Sequence, residues 1–447
     1  MKIDSQTVRE LEIFQGSNSN LTILGLIDKT RTKDGRTRLQ QKIINPKSSI
    51  KDILETQDSI KFFMEQTKEW SFPFTQSDFD WLQNYLNSTF NVFRPNDGLT
   101  GNIQSLVLSY RGSDFCDFAK KGVKITLEFL ASAAELYRLL NKEDTPRKIQ
   151  EELEFFFRLL EYSGLSKSLH DPASLKLEMR EILIFDYMFR HDIKTTLLEL
   201  LDRLAELDCL ISMAKATQEL GWIFPDFVES DQPFVELYDV YHPFVAKPVK
   251  NTISLGDSGR ILFLTGPNMA GKTTFMKAVT ISVILAHTGM AVPATKARLT
   301  PFSSFFCSLQ AQDDVRAGIS SFYSEIRRVK EVLSAINQGP GVFAVFDELF
   351  KGTNVKDALD CSSTVVNGIT GLPGCIFLIS SHLLELHDLV ETPEAFCFRY
   401  FDAEIDNGRT RFDYCLRTGV NSKRLGYFIL QQEGILDFLR HHQTFSG

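Results

Sequence analysis

The stretch FLTGPNMAGKTTF, Phe263 to Phe275, sets glycine, four residues, glycine, lysine and threonine in the order that cradles a phosphate chain. The loop runs through Gly266, Pro267, Asn268, Met269, Ala270 and Gly271 into Lys272, Thr273 and Thr274. Backbone N–H groups and the N-terminus of a following helix draw phosphate oxygens, because both carry positive partial charge. Lys272 then reaches the β and γ oxygens of a triphosphate, and the Thr273 hydroxyl meets Mg²⁺. At VFAVFDELF an apolar strand delivers two adjacent carboxylates, Asp347 and Glu348. Such neighbours repel unless a cation compensates them. Asp347 is placed to hold Mg²⁺ through its water shell, and Glu348 to polarise an attacking water. His382 ends a third run, CIFLISSH; its neutral ring has one donor and one acceptor, enough to touch a γ-phosphate or orient water. AGISSF brings Gly318, Ser320 and Ser321 to the start of a helix, an end that suits an anion and that a plain serine cap also explains. FKGTNVKDALD, directly after Leu349, reads as an interface loop or as a turn. Together these residues predict a nucleoside triphosphate bound with Mg²⁺ and hydrolysed.

The elements that must position them are short and fully apolar: RILFLTG, GVFAVFDE and CIFLISSH are each of strand length and each end in a polar cluster. Helix-like segments lie between them, so a mostly parallel sheet with crossover helices follows, with all three clusters at carboxyl ends of strands. Up to about residue 225 the period is instead helical, as in ITLEFLASAAELYRLLN and IQEELEFFFRLLEYSG. The run Leu175 to Leu220 has neither proline nor glycine and is long enough for a lever. The aromatic, proline-bearing segment GWIFPDFVESDQPFVELYDVYHPFV reads as a junction, which divides the chain into residues 1–225 and 226–447.

At 447 residues the chain has room for two or three domains, and 43% hydrophobic with 24% charged residues is ordinary globular composition. A net charge of −8 argues against a protein that coats nucleic acid non-specifically, while leaving room for a local basic strip. The seven scattered cysteines read as reduced core thiols of a cytoplasmic protein. The opening MKIDSQTVRELEIFQ has no apolar core of signal-peptide type, and no run is long enough to span a bilayer; no membrane association is expected.

Taken together, the motifs resemble the MutS family of DNA mismatch-repair ATPases, a branch of the ABC-type ATPases. TGPNMAGKTTF, FDELFKGTN and SSH are close to that family's phosphate loop, acidic pair and switch histidine. AGISSFYSE is similar to its signature segment, preceded by Asp313 and Asp314, and the resemblance implies that Ser320 and Ser321 complete the ATP site of the opposite subunit. LEIFQGSNSNLTILGLIDKTRTKDGRTRLQQKIINP is similar to the opening of the family's core domain: Thr32, Gly35 and Leu39 fit its pattern, while Thr37 stands in an arginine's place. YHPFV with Asn251 is similar to the entrance of the ATPase domain, where Pro248 stands in place of an adenine-stacking aromatic. RTGVNSKRLGYFILQQEGI looks like its C-terminal stretch. The core pattern begins at about residue 9, so the mismatch-reading and connector domains are expected to be missing, and the clamp to be shortened. The resemblance implies an α-helical core and lever domain followed by an α/β P-loop NTPase domain of ABC type with a mostly parallel sheet. It also implies a homodimer whose closure on ATP is passed through helical levers to mismatched or branched DNA, alongside other repair proteins. Exposed Lys120, Lys121 and Lys124 are either phosphate contacts or ordinary solvated positions. A nucleotide switch that acts on a protein partner without touching DNA is the second reading, and an ABC transporter subunit a third, weakened by the missing Leu-Ser-Gly-Gly signature.

Overall fold

In a computed structural model that describes residues 3–15, 21–66, 71–93, 113–163, 165, 177–257, 259–309, 321–406, 409–421 and 435, apolar residues spaced at three and four build nine α-helices among the described residues of the first half of the chain. They are α1 (Ser5–Glu10), α2 (Ile23–Ile27), α3 (Lys33–Ile44), α4 (Ile50–Gln66), α5 (Gln76–Leu86), α6 (Ser113–Leu140), α7 (Arg147–Ser163), α8 (Met179–Tyr187) and α9 (Lys194–Leu220). The chain forms two compact units. One comprises Ile27–Gln41 and Asp58–Glu219; the other comprises Met1–Leu26, Lys42–Gln57 and Leu220–Gly447.

The helical unit holds buried polar groups whose partners come from elsewhere in the same unit. Asp208, in the middle of α9, accepts from the backbone N–H groups of Arg31 (3.1 Å) and Thr32 (2.9 Å) and from the Thr32 hydroxyl (2.7 Å). Thr32 in turn caps α3 by accepting from Gly35 N–H at 2.9 Å. A Cβ on Gly35 would fall 2.4 Å from the Asp208 carboxylate, so that position needs glycine. This is the structural content of the Thr32, Gly35, Leu39 pattern, with Leu39 fully buried. The stretch from Met179 to Leu220 is two helices rather than one. Between α8 and α9 the chain makes a π-helical turn, Met188–Asp192, ending at Ile193 with φ −116°. There the buried Arg190 pairs with Asp186 at 3.2 Å and donates to the Phe90 carbonyl, while Tyr85 donates its hydroxyl to Asp186 at 2.8 Å. The two terminal nitrogens of that internal guanidinium thus find acceptors at the wider turn, while its Nε has none among the described residues.

The α/β unit holds strands β1 (Asp226–Phe227), β2 (Val235–Val240), β3 (Asn251–Leu255), β4 (Ile261–Thr265), β5 (Lys296–Leu299), β6 (Ser304–Ser308), β7 (Val342–Asp347), β8 (Cys375–Ser380), β9 (Phe396–Asp406) and β10 (Arg409–Thr418). Besides α1, its helices among the described residues include α10 (Lys272–His287), α11 (Ser321–Gln338), α12 (Val355–Thr370) and α13 (Glu385–Asp388). The main sheet has the order β10-β9-β4-β8-β7-β6, parallel throughout except for the β9–β10 hairpin. The three apolar runs are β4, β7 and β8, side by side in its centre, and every residue of β4 and β8 is buried. Burial on both faces is what a continuous apolar strand requires. A second sheet, β1-β5-β2-β3, is built partly from the segment read as a junction. Strand β2 alternates burial only in part, so its pattern does not announce a strand.

Edge strand β6 is covered by α1: Thr7 Oγ1 accepts from Cys307 N–H (3.0 Å) and the Glu10 carboxylate from Leu309 N–H (2.5 Å). Buried Arg328 of α11 ties the same place together through Asp4 (2.9 Å) and the Cys307 carbonyl (3.0 Å). A bare edge would otherwise offer unpaired amides to another strand. Five of the seven cysteines are buried as expected, whereas Cys361 is half-buried and Cys415 exposed on β10, so the core-thiol expectation fails for those two. No helix among the described residues is long and apolar enough to cross a membrane.

Candidate functional site

Parallel pairing brings the ends of β4, β7 and β8 to one rim. Leu264 and Asp347 are both in register with Ser380, and the strand ends are stitched by Ser381 N–H to Leu264 O (3.1 Å) and Glu348 N–H to Ser380 O (3.2 Å). The glycine-rich loop leaves β4 here. Gly266 has φ 137° and a Cβ on it would lie 2.6 Å from the Phe401 carbonyl; Gly271, φ 103°, caps α10. Neither position tolerates a side chain, which explains the two glycines. The first amides of α10 have no acceptor within the helix and so form an anion-binding end.

Lys272 is buried beneath the loop, and burial pushes its pKa down. Its ammonium donates to the carbonyls of Gly266 (2.9 Å) and Pro267 (3.3 Å). Thr273 donates its hydroxyl to Asp347 Oδ2 at 2.6 Å, and Ser380 donates to Oδ1 of the same carboxylate. The two residues assigned to a metal are thus together, with a second hydroxyl, that of Ser380, beside them. Among the described residues no cluster of three or more His, Cys, Asp or Glu forms a metal cage. One carboxylate with neighbouring hydroxyls is instead the donor set of Mg²⁺, which keeps most of its waters, so the residues fit that ion.

Glu348 stands in the left-handed region, φ 58°, and so does Phe350, φ 60°. Non-glycine residues there are strained and persist only where their surroundings hold them. Glu348 Oε1 lies 2.6 Å from His382 Nε2, and Oε2 lies 2.5 Å from Lys351 Nζ. A carboxylate only accepts, so Nε2 carries the ring proton. Chiefly through that hydrogen bond, with Lys351 adding to it and burial opposing, the Glu348 carboxyl is held down to about 2. Lys272 Nζ is also 3.3 Å from His382 Nε2, so loop, acid and histidine form one cluster. Behind it, Glu325 of α11 accepts from the backbone N–H groups of Phe350 and Lys351, and burial pushes its carboxyl up to about 7.

A cavity of about 490 Å³ opens beside the loop, lined among others by His242, Pro248, Asn251, Lys272, Glu348 and Tyr414. That volume is in the range of small-molecule sites. His242 is kept neutral, its pKa lowered to about 4 by burial and then by Lys277. Asn251 works through its neighbour: it donates to the Tyr414 carbonyl (3.0 Å) and accepts from Leu416 N–H (2.7 Å). These two bonds hold a bulge in β10 between Phe412 and Leu416, where Tyr414 takes φ 57°. Tyr414 approaches within 3.3 Å of where a Gly271 Cβ would be. Sequence reading passed over Tyr414, Lys351 and Glu325. Lys351 and Glu325 lie inside the motifs FKGTN and AGISSFYSE without being singled out there, and the positive φ of Tyr414 at its bulge becomes visible only once strands pair. Pro267, Asn268, Met269, Ala270 and Thr274 occupy the loop and first turn, with Met269 largely exposed at φ 69°. Ser320, with Asp313, Asp314 and Gly318, lies outside the described residues; Ser321 begins α11, but its side chain also lies outside them.

Residues 6–214 match MutS domain III, and residues 262–436 match MutS domain V. In that family domain V is the ATPase domain. The second match begins in β4 and takes in the loop, Asp347, Glu348, His382 and Tyr414.

Proposed function

The chain belongs to the MutS family, and from that premise we propose that it is a Mg²⁺-dependent ATPase with a P-loop fold of ABC type, which works as a homodimer on mismatched or branched DNA. The observation that carries this reading is one convergence. Lys272, the Thr273–Asp347 pair and the Glu348–His382 pair meet at the rim of a parallel sheet, beside a cavity of about 490 Å³.

Each residue has a role in that chemistry. Lys272 turns from the Gly266 and Pro267 carbonyls to the β and γ oxygens of ATP. Thr273 and Asp347 hold Mg²⁺, which when bound neutralises charge on the phosphate oxygens. Glu348 orients and polarises the attacking water, and His382 sets the pose of Glu348 and faces the γ-phosphate. Asn251 presents Tyr414, whose ring offers the nucleobase the flat apolar face that Pro248 does not. Ser320 and Ser321 complete the site of the partner subunit. The ATPase part lies within residues 226–447 and the core and lever part within 1–225. Nucleotide drives closure only through a difference in affinity between open and closed states, and that difference is what reaches the DNA.

A specific observation favours the second reading, a nucleotide switch with a protein partner and no DNA contact. The three lysines considered for phosphate contact all have local partners: Lys120 lies 3.8 Å from Asp117, Lys124 lies 3.8 Å from Glu128, and Lys121 sits over the Trp81 ring. Titration of labelled duplex, mismatched and four-way DNA at two salt concentrations, with and without ATP, separates the two. The proposal expects binding that weakens steeply with salt and responds to ATP in the wild type but not in Lys272→Ala. No salt-dependent binding to any of the three DNAs removes DNA from the function.

A further inference from the structure

The FKGTNVKDALD stretch, which composition left open between an interface loop and a turn, contains a cation with an evident task. Lys351 comes from the same loop as Glu348, three residues on, and its ammonium touches Oε2 at 2.5 Å while His382 holds Oε1 at 2.6 Å. Both oxygens of the acid are therefore engaged by donors. The two donors differ. His382 follows a central strand of the sheet by two residues, is half as exposed as Lys351, and also lies 3.3 Å from Lys272 Nζ. The Lys351 side chain is 70% exposed and ends a flexible four-carbon stem. The backbone beneath it does not share that freedom, because Glu325 accepts from the N–H groups of Phe350 and Lys351. Motion at this place thus belongs to the ammonium, with the loop held still.

We infer that Lys351 is a positioning residue that parks Glu348 between turnovers, occupying the carboxylate oxygen that the attacking water has to meet, and that it releases the acid when a phosphate group takes its charge. An ion pair with one partner this exposed is weak. Its weakness is what makes it exchangeable: a polyphosphate carries more charge than one carboxylate and competes for the ammonium. No bond is made or broken in this step; one cation changes its anion. The inference rests on the reading of Glu348 as the residue that polarises water.

Steady-state ATP hydrolysis by the full chain tests it, with wild type, Lys351→Met, Lys351→Arg and Glu348→Gln compared at saturating ATP and Mg²⁺. Lys351→Met is expected to raise kcat about 2- to 5-fold, the reach of an exposed pair, because exchange onto the phosphate frees only part of the acid at any moment, and to raise KM, because the ammonium that passes to the phosphate is lost. Lys351→Arg, which keeps a cation, is expected to fall back towards the wild-type rate. Higher ionic strength should narrow the gap between wild type and Lys351→Met, because it screens the exposed pair. A purely structural lysine would move neither the kcat-to-KM split nor its salt dependence. An unchanged or lower kcat in Lys351→Met, with Glu348→Gln inactive, overturns the parking role and leaves the ATPase reading intact. Retained turnover in Glu348→Gln sinks the ATPase reading itself, and this inference with it.

Discussion

A buried carboxylate of the helical unit and the acidic pair of the α/β unit are engaged by donors of different kinds. Asp208 in the helical unit is 1% exposed and accepts only from neutral donors, the Arg31 and Thr32 backbone and the Thr32 hydroxyl, with Gly35 closed against it. Asp347 and Glu348 in the α/β unit face hydroxyls that a metal can share and two lysines that now spend their hydrogen bonds on the protein. The backbone divides the same way. All six non-glycine residues with positive φ among the described residues lie in the α/β unit, and Met269, Glu348 and Tyr414 of them line the cavity. Neutral, committed donors on relaxed backbone make a scaffold. Exchangeable cations on strained backbone beside a cavity make a place for chemistry.

The largest effect that would break this contrast comes from Glu348→Gln. ATP turnover should fall about 10²- to 10⁴-fold, the usual worth of a general base, while equilibrium binding of ATP is retained and the urea midpoint hardly moves. Loss of binding in place of turnover would put Glu348 in the scaffold class. Asp208→Ala should behave in the opposite way: it strands three buried donors and costs about 2–4 kcal/mol of stability, read by urea denaturation. The protein that stays folded should hydrolyse ATP at the normal rate; a matching fall in kcat would erase the distinction.

Glu325 sharpens the comparison, since it is buried like Asp208 but sits behind the reactive loop. Its folded-state pKa, about 7, is raised from the ordinary 4.5. The native state then keeps a proton that the unfolded chain has released, so this group's contribution declines as pH rises from about 4.5 through 7. Glu325→Gln keeps an acceptor for the two amides and lacks the titration. Relative to wild type it should gain about 2–3 kcal/mol between pH 5 and pH 8, followed as the difference between two thermal melting series. A constant difference across that range would show that Glu325 does not titrate there.

The legible part of the molecule was local. Apolar runs of strand length marked β4, β7 and β8, and the polar residues ending them marked the loop, the acidic pair and His382, because a buried parallel strand is apolar along its whole length and releases polar side chains only at its end. The Thr32–Gly35–Leu39 pattern was legible too, although its reason, Asp208, was not. What stayed hidden were partnerships between distant residues: the Glu10 carboxylate on the Leu309 amide 299 positions away, and Asn251 on the Tyr414 carbonyl 163 positions away. The same holds at the π-helical turn Met188–Asp192, where Arg190 meets the Phe90 carbonyl 100 positions earlier.

Sequence alone therefore determined the chemical inventory and the strands that carry it, since both are written in side-chain type and short-range period. The tertiary structure alone decided that Thr273 meets Asp347 across 74 positions, that Lys351 and His382 share one carboxylate, and that Tyr414 reaches the loop. Those meetings depend on the order and register of strands that are remote in the chain, and no local pattern encodes such an order.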